Sequence, residues 1–259
     1  MPSRPLRFIH TSDVHLDSTS SRGDVEGFRN AAEYAFAQVV DAVTNAACDL
    51  FLIVGDLFDS ARIKEHDFEF VRAQLSKIDC PVVLIPGNHD VHDDTSVWRK
   101  FDPVDLGSHV YPIMEHEGDL LEFPDLSTTI WARAMDEHSP SYEPLLGIPN
   151  IDRDNWFVGM AHGQVVHKRV NGSSSQITHA EIETSGFDYL ALGHVHVWDT
   201  FEFGDVIACY SGSPVEAFAS SHGGYYAHVE LDPERGVTVT KNRLQSKVGH
   251  PQVTHGVFF

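Results

Sequence analysis

The 259-residue chain has only three cysteines, Cys48, Cys80 and Cys209, an odd number without CxxC spacing. That excludes a disulfide framework and a thiolate zinc site, and leaves three separate reduced thiols. No apolar run approaches the roughly 18 residues that cross a membrane. The opening MPSRPLRFIHTSD holds no apolar signal core. A cytoplasmic protein with no membrane partner is expected. Basic residues are scarce as well, with 18 Lys and Arg against 38 Asp and Glu and a formal net charge of −20. The longest basic run is HKR, His167 to Arg169. Nonspecific nucleic-acid binding would need a local basic patch, so the charge disfavours it. What is present is ordinary for a soluble globular protein, 42% hydrophobic and 22% charged. The length suits one well-buried domain, expected to span residues 1–259. Composition leaves the oligomeric state open.

Apolar periodicity organises the first half. After PLRFIHTSDVH, the stretch EGFRNAAEYAFAQVVDAVTNAA puts Phe28, Ala32, Ala35, Val39, Val43 and Ala46 on one helical face. DLFLIVGDLFD reads as a buried strand, KEHDFEFVRAQLSKI as a helix with Phe68, Val71 and Leu75 on its stripe, and CPVVLIPGNHD as a third strand. This order predicts an α/β domain whose first sheet is parallel. The second half reads as short strands, the later ones antiparallel: HVYPIM, DLLEFPDL, TTIWARA, WFVGMAHG, DYLALGHVH, TFEFGDVIACYSG, GGYYAHVEL and GVTVTKNRL. Two sheets packed face to face and flanked by helices account for both halves. VNGSSSQITHAE, Val170 to Glu181, reads as a flexible surface loop.

Five apolar runs end in the same way. FIHTSDVH delivers Asp13 and His15, LFLIVGD delivers Asp56, and VVLIPGNHD delivers Asn88, His89 and Asp90. FVGMAH ends at His162, and YLALGHVH at His194 and His196. Ligands of α/β sheets gather at carboxyl ends of strands, and three of these runs place a glycine before the polar group, where backbone can approach closely. Each piece alone has a plain alternative: Asp13 could cap a helix, GD and GN are common turn dipeptides, and a single histidine could be a hydrogen-bonded edge residue. Together, five runs supplying only Asp, Asn and His point to metal. Oxygen and imidazole donors without thiolate suit Mn²⁺, Fe or Zn²⁺. Asp13, His15, Asp56, Asn88, His162, His194 and His196 are too many donors for one ion, so two ions sharing a carboxylate are expected, Mn foremost. Such a pair can activate a bridging water and clamp a phosphoryl group.

The motifs DVH, GDLFD, GNHD, GMAHG and GHVH, in that order from Phe8 to about Ser213, resemble the calcineurin-like metallophosphoesterases. The resemblance implies a four-layer α/β/β/α sandwich with two mixed sheets. It also implies that Asp13, His15 and His196 hold one metal and Asn88, His162 and His194 the other, bridged by Asp56. His89 would stabilise the transition state or protonate the leaving oxygen, and Asp59 and Asp90 would orient the ligands and His89. FIHTSDVHLDS, GDLFDS, DYLALGHVH and YSGSPVEAF look closest to the SbcD-like DNA-repair exonuclease branch. Two departures are visible. Asp59 stands where many of those nucleases have histidine, and the capping domain they carry after this core is not expected in the 259 residues.

The expected activity is hydrolysis of small phosphodiesters, with monoesters or triesters also possible, by attack of a metal-bridging hydroxide. The alternatives are an SbcD-like nuclease, with or without an ATPase partner, and a non-catalytic metal-dependent scaffold. Pocket walls are expected from Leu16–Asp24, His92–Asp102 and Gln164–Gln176, with His167 and His222 as further pocket residues.

Overall fold

A computed structural model describes residues 2, 4–17, 25–151, 154–218 and 224–245. His222 and residues 18–24 of the first expected pocket wall lie outside the described residues.

The three continuous apolar runs form β1 (Leu6–Thr11), β2 (Leu50–Val54) and β3 (Val82–Ile85). They pair in parallel, and β3 takes β4 (Val110–Pro112) as its parallel neighbour. Parallel strands covered on both faces need side chains that are apolar throughout, and all residues of β2 and β3 are buried. The crossovers carry α1 (Ala31–Ala46), α2 (Glu65–Leu75) and α3 (Val97–Lys100). α1 starts at Ala31 rather than near Phe28 because the Asn30 side chain accepts from the Glu33 N–H, filling one unpaired donor of the first turn. Ala46, expected on the buried stripe, is exposed in the last turn. On α2, Phe68, Val71 and Leu75 are buried as the periodicity predicts.

The first sheet is mixed. β13 (Tyr225–Asp232) pairs antiparallel with β1, and β14 (Gly236–Arg243) pairs antiparallel with β13, giving the order β14-β13-β1-β2-β3-β4. The expectation of a parallel sheet therefore holds for four strands. A hairpin from the end of the described chain adds the other two, because hydrophobic alternation does not say which distant strand it will pair with.

The second sheet contains β5 (Asp119–Phe123), β6 (Thr128–Ala132), β7 (Trp156–His162), β10 (Tyr189–Gly193), β11 (Asp199–Phe203) and β12 (Val206–Tyr210), in the order β11-β12-β10-β7-β6-β5. The stretch expected to be a flexible loop is structured. It contains β9 (Gln176–Thr178), paired with β8 (Gln164–Val166), and the first half of α4 (His179–Thr184). Thr178 and Glu181 form a reciprocal cap that starts this helix.

Strand alternation then builds the layers. Phe8, Leu52, Val54 and Ile85 meet Val158, Met160, Tyr189 and Ala191 between the sheets. Ile9, Phe51, Ile53 and Leu84 face α1 and α2. Leu190 and Leu192 face outward, toward Ile182 of α4. The result is the α/β/β/α sandwich. A polar side chain, His10, sits in the inter-sheet layer. Its Nε2 faces the Leu192 carbonyl at 3.2 Å, and its Nδ1 faces the Tyr189 hydroxyl at 3.1 Å. A carbonyl only accepts, so Nε2 carries the proton and Nδ1 accepts from Tyr189.

Candidate metal centre

The motif residues lie at or just past the carboxyl ends of five parallel strands, three in the first sheet and two in the second. The backbone there departs from ordinary geometry. Among the described residues, eight non-glycine positions have positive φ, and four of them are Asp13, His15, Asp56 and His194, at 56°, 52°, 52° and 93°. Left-handed backbone costs of order 1 kcal/mol or more for such residues and persists where the surroundings over-determine it. Here the surroundings are explicit. The N–H groups of Asp13 and His15 donate to the Gly55 and Asp56 carbonyls at 3.1 and 3.0 Å, locking the β1 loop onto the β2 loop. Close approach also demands glycine. A Cβ on Gly55 would strike the His162 ring, and one on Gly87 would strike the Asp56 carboxylate.

Four of the candidate ligands have anchors outside the ligand atoms that face each other. The His194 N–H reaches both Asp13 carboxylate oxygens at 3.1 Å, and Ser12 Oγ donates to Oδ2 at 2.5 Å. Asp56 Oδ1 accepts from the His89 N–H at 2.8 Å, leaving Oδ2 between His162 Nε2 at 3.3 Å and His15 Nε2 at 3.7 Å. His162 Nδ1 donates to the Val54 carbonyl at 2.9 Å. His15 Nδ1 stands 3.2 Å from Asp59 Oδ1, close enough for charge pairing though not aligned as a hydrogen bond.

The donor chemistry calls for cations. With Nδ1 of His162 committed as a donor, neutral His162 presents a lone pair at Nε2. That lone pair faces Asn88 Oδ1 at 3.1 Å and Asp56 Oδ2 at 3.3 Å. His194 Nδ1 faces the same Asn88 oxygen at 2.8 Å. On the other side, His15 Nε2 and His196 Nε2 face each other at 3.2 Å, with Asp13 Oδ1 3.6 Å from His196. Asp13, His15 and His196 can place one ligand atom each within 4.8 Å of one another, and so can Asp13, Asp56 and His162. Electron pairs converging in this way repel unless a cation lies among them, and the fit to divalent metal is good on both sides.

Electrostatics agree. Burial works against the charge of Asp56, but His162, His15 and His89 hold it well below the usual carboxylate range. Burial also works against the His162 cation, yet Asp56 and Asp13 lift that ring to about 9. A proton is the smallest cation that satisfies such a site. His194 is pushed down to about 4 by burial and by His162, which leaves it neutral, as a metal ligand must be.

His89 also lies within 4.8 Å of His15 and Asp56. Its Nδ1, however, donates to the Asp59 carbonyl at 3.0 Å, which leaves Nε2 of a half-exposed ring for substrate. Asp90 is fully buried, and its carboxylate accepts from the N–H groups of Asp56, Leu57, Phe58 and Gly87 at 2.7–3.2 Å. Burial and the facing Asp56 raise it to about 6, against the pull of the Gly87 and Phe58 N–H groups and of His162. It holds the two loops together and touches backbone rather than a reacting position.

Other expectations fare differently. His167 lies against His179 of α4, 5.3 Å away, and His179 in turn lies against Phe203 of β11. The 92–102 segment is tied inward, with Val97 and Trp98 of α3 in the core. Sequence reasoning missed Phe218, whose ring stands 5.3 Å from His15 and 5.7 Å from His196, and His138, whose ring stands 6.2 Å from His194. Neither belongs to a metal-binding pattern; only the fold brings them in.

Comparison with known proteins gives a consistent picture. The sequence profile of the calcineurin-like phosphoesterases matches residues 6–198. The uncharacterized metallophosphoesterase YhaO of Bacillus subtilis (strain 168) is 27% identical over 241 residues, 85% of this chain and 56% of YhaO. The SbcD component of the nuclease SbcCD from the same organism is 26% identical over 291 aligned positions, 96% of this chain and 71% of that protein. The chain thus spans little more than half the length of YhaO. Among solved structures, a dimetal phosphatase from Danio rerio superposes with a TM-score of 0.57 at 9% identity, covering 93% of this chain and 99% of that one, a likeness of fold.

Proposed function

The chain belongs to the calcineurin-like phosphoesterase family, and on that premise we propose that it is a two-metal phosphodiesterase. The observation that carries the reading is the position of Asp56 Oδ2, between His15 on one side and His162 on the other. Asp13, His15 and His196 would hold one ion and Asn88, His162 and His194 the second, with Asp56 available to both. Mn²⁺ suits these oxygen and imidazole donors, with Fe or Zn²⁺ as substitutes. When bound, the pair supplies Lewis acidity to the phosphoryl oxygens and an activated water for in-line attack.

The chain supplies the rest. Val54 orients His162, the Asp59 carboxylate steadies His15, and Asp90 fixes the loops that carry Asp56 and Asn88. His89, held through Nδ1 by the Asp59 carbonyl, can donate from Nε2 to a phosphoryl oxygen or to the departing oxygen when that nitrogen also carries a proton. Small diesters are the favoured substrates, with monoesters and triesters also within reach of the same centre. The relationship to a nuclease component favours a second reading, cleavage of DNA. The net charge of −20 weighs against it. So does the pairing of Arg169, the arginine of the longest basic run, with Glu181 at 2.6 Å and Glu143 at 3.5 Å.

The test is metal-free protein reconstituted with Mn²⁺ and offered an activated phosphodiester, an activated monoester and single-stranded DNA. The diester should turn over fastest. His89→Ala should keep both ions and lose roughly two to four orders of magnitude in rate, the span of a positioned acid–base group. No turnover with any divalent metal would sink the reading, and DNA cleavage far faster than diester cleavage would replace it with the nuclease.

A further inference from the structure

The connection between β6 and β7 carries an imidazole to the Asn88/His162/His194 side of the centre. His138 lies edge-on to His194, with ring centroids 6.2 Å apart, and its Nε2 is 2.5 Å from Ser174 Oγ. Both residues sit on braced backbone. The Gln176 side chain accepts from the Val170 N–H at 2.7 Å and donates to the Val170 and Ser173 carbonyls at 2.8 and 2.7 Å, closing the loop that bears Ser174. Ser175, next in the chain, is completely buried with φ 52°. Across from it, the Tyr142 hydroxyl donates to the Arg133 carbonyl at 2.9 Å, and Arg133 Nη1 donates to the Glu143 carbonyl at 2.8 Å. Glu137 accepts from the hydroxyls of Ser139 and Ser141 at 2.7 and 2.9 Å. An exposed imidazole is therefore held in place by two closed loops.

Its surroundings say what it faces. Asp56, His162 and His89 all act through space on the charge of His138, which sets it within the field of the centre. His89 stands on the opposite flank, its ring 4.6 Å from that of His15. A phosphoryl oxygen only accepts, so the walls that receive it must offer donors. Arg133 is the one cation of the 133–145 segment, and its guanidinium is committed to the His116 and Glu143 carbonyls. His138 is the donor that this wall has left.

We propose that His138 is a substrate-positioning residue: with Ser174 donating to its Nε2, the ring N–H at Nδ1 binds an oxygen of the phosphoester on the His194 side of the centre. The proposal rests on the phosphoesterase reading and adds a binding contact opposite His89. The Ser174 hydroxyl, which can donate or accept, accommodates this tautomer by donating to Nε2.

The test compares wild type, His138→Ala, His138→Gln and Ser174→Ala after Mn²⁺ reconstitution. It records metal per chain, kcat and KM for the activated diester, and inhibition by inorganic phosphate. His138→Ala should bind as much metal as wild type, while its KM and its phosphate inhibition constant rise roughly tenfold, about one lost hydrogen bond to a charged oxygen. kcat should change less than KM. His138→Gln, which keeps an N–H donor, should recover most of the loss, and Ser174→Ala should fall between. Unchanged KM and phosphate inhibition in an active His138→Ala protein would overturn the proposal and leave the phosphoesterase reading standing. Loss of metal from His138→Ala would overturn it in favour of a supporting role for His194. A wild type inactive on every ester would sink both together.

Discussion

Asp90 is a fully buried carboxylate with four backbone donors. Removing it strands those N–H groups in a buried space, where each unmet donor costs of order 1–3 kcal/mol. Asp90→Ala should therefore lower stability on the order of 3 kcal/mol or more and weaken metal binding with it, because Asp56 and Asn88 ride on the freed loops. Asp90→Asn, which keeps one accepting oxygen, should be intermediate. Denaturant unfolding with metal analysis checks both, and a stable Asp90→Ala protein with full metal would refute the anchoring role. At this scale the sequence is informative about which residues matter. Asp13, His15, Asp56, Asn88, His162, His194 and His196 are all announced by apolar runs that stop. It is less informative about what they touch. The family resemblance implies that Asp90 orients His89, but its contacts are to backbone on two loops, and such contacts arise only after β2 and β3 pair. Ser12, Phe218 and His138 carry no signal of their own, since their neighbours lie on other strands.

Among the elements, β1 and β10 are joined by a buried polar contact. His10 lies wholly inside, and burial pushes its pKa down to about 3 from an ordinary value of 6.5, despite the Leu192 carbonyl. In the unfolded chain the ring regains its ordinary value and binds more protons than the folded state between those limits. Stability from this group is complete above about pH 6.5 and is lost as pH falls toward 3. The melting temperature of wild type should therefore drop more steeply from pH 6.5 to 4 than that of His10→Gln, and parallel profiles would show that His10 is not the source. The helices and central strands are legible because their periodicity is local. The antiparallel partnership of β13 with β1 is not, because it joins residues more than two hundred positions apart. The run GSSS masks the 170–181 segment in the same way, since its order comes from one buried amide, Gln176, closing the loop.

For the whole molecule, the ligand set is divided between the two sheets. Asp13, His15, Asp56 and Asn88 follow strands of the first sheet, while His162 ends one strand of the second and His194 and His196 follow another. Metal that binds only the folded arrangement stabilises it by mass action, so chelation should lower the melting temperature by several degrees. The five strand-end motifs make this much legible, but not the thin outer cover of the second sheet, where α4 supplies six residues. In mechanical terms each ion of the proposed pair would be a rivet through two plates, set at one end of the sandwich, while the far end rests mainly on apolar contact. Forced apart, the sheets should part first at the far end. Amide exchange in the metal-bound protein should then be slowest near Gly55, Gly87 and Gly193 and faster toward the amino ends of the same strands, a gradient that flattens when the metal is withdrawn.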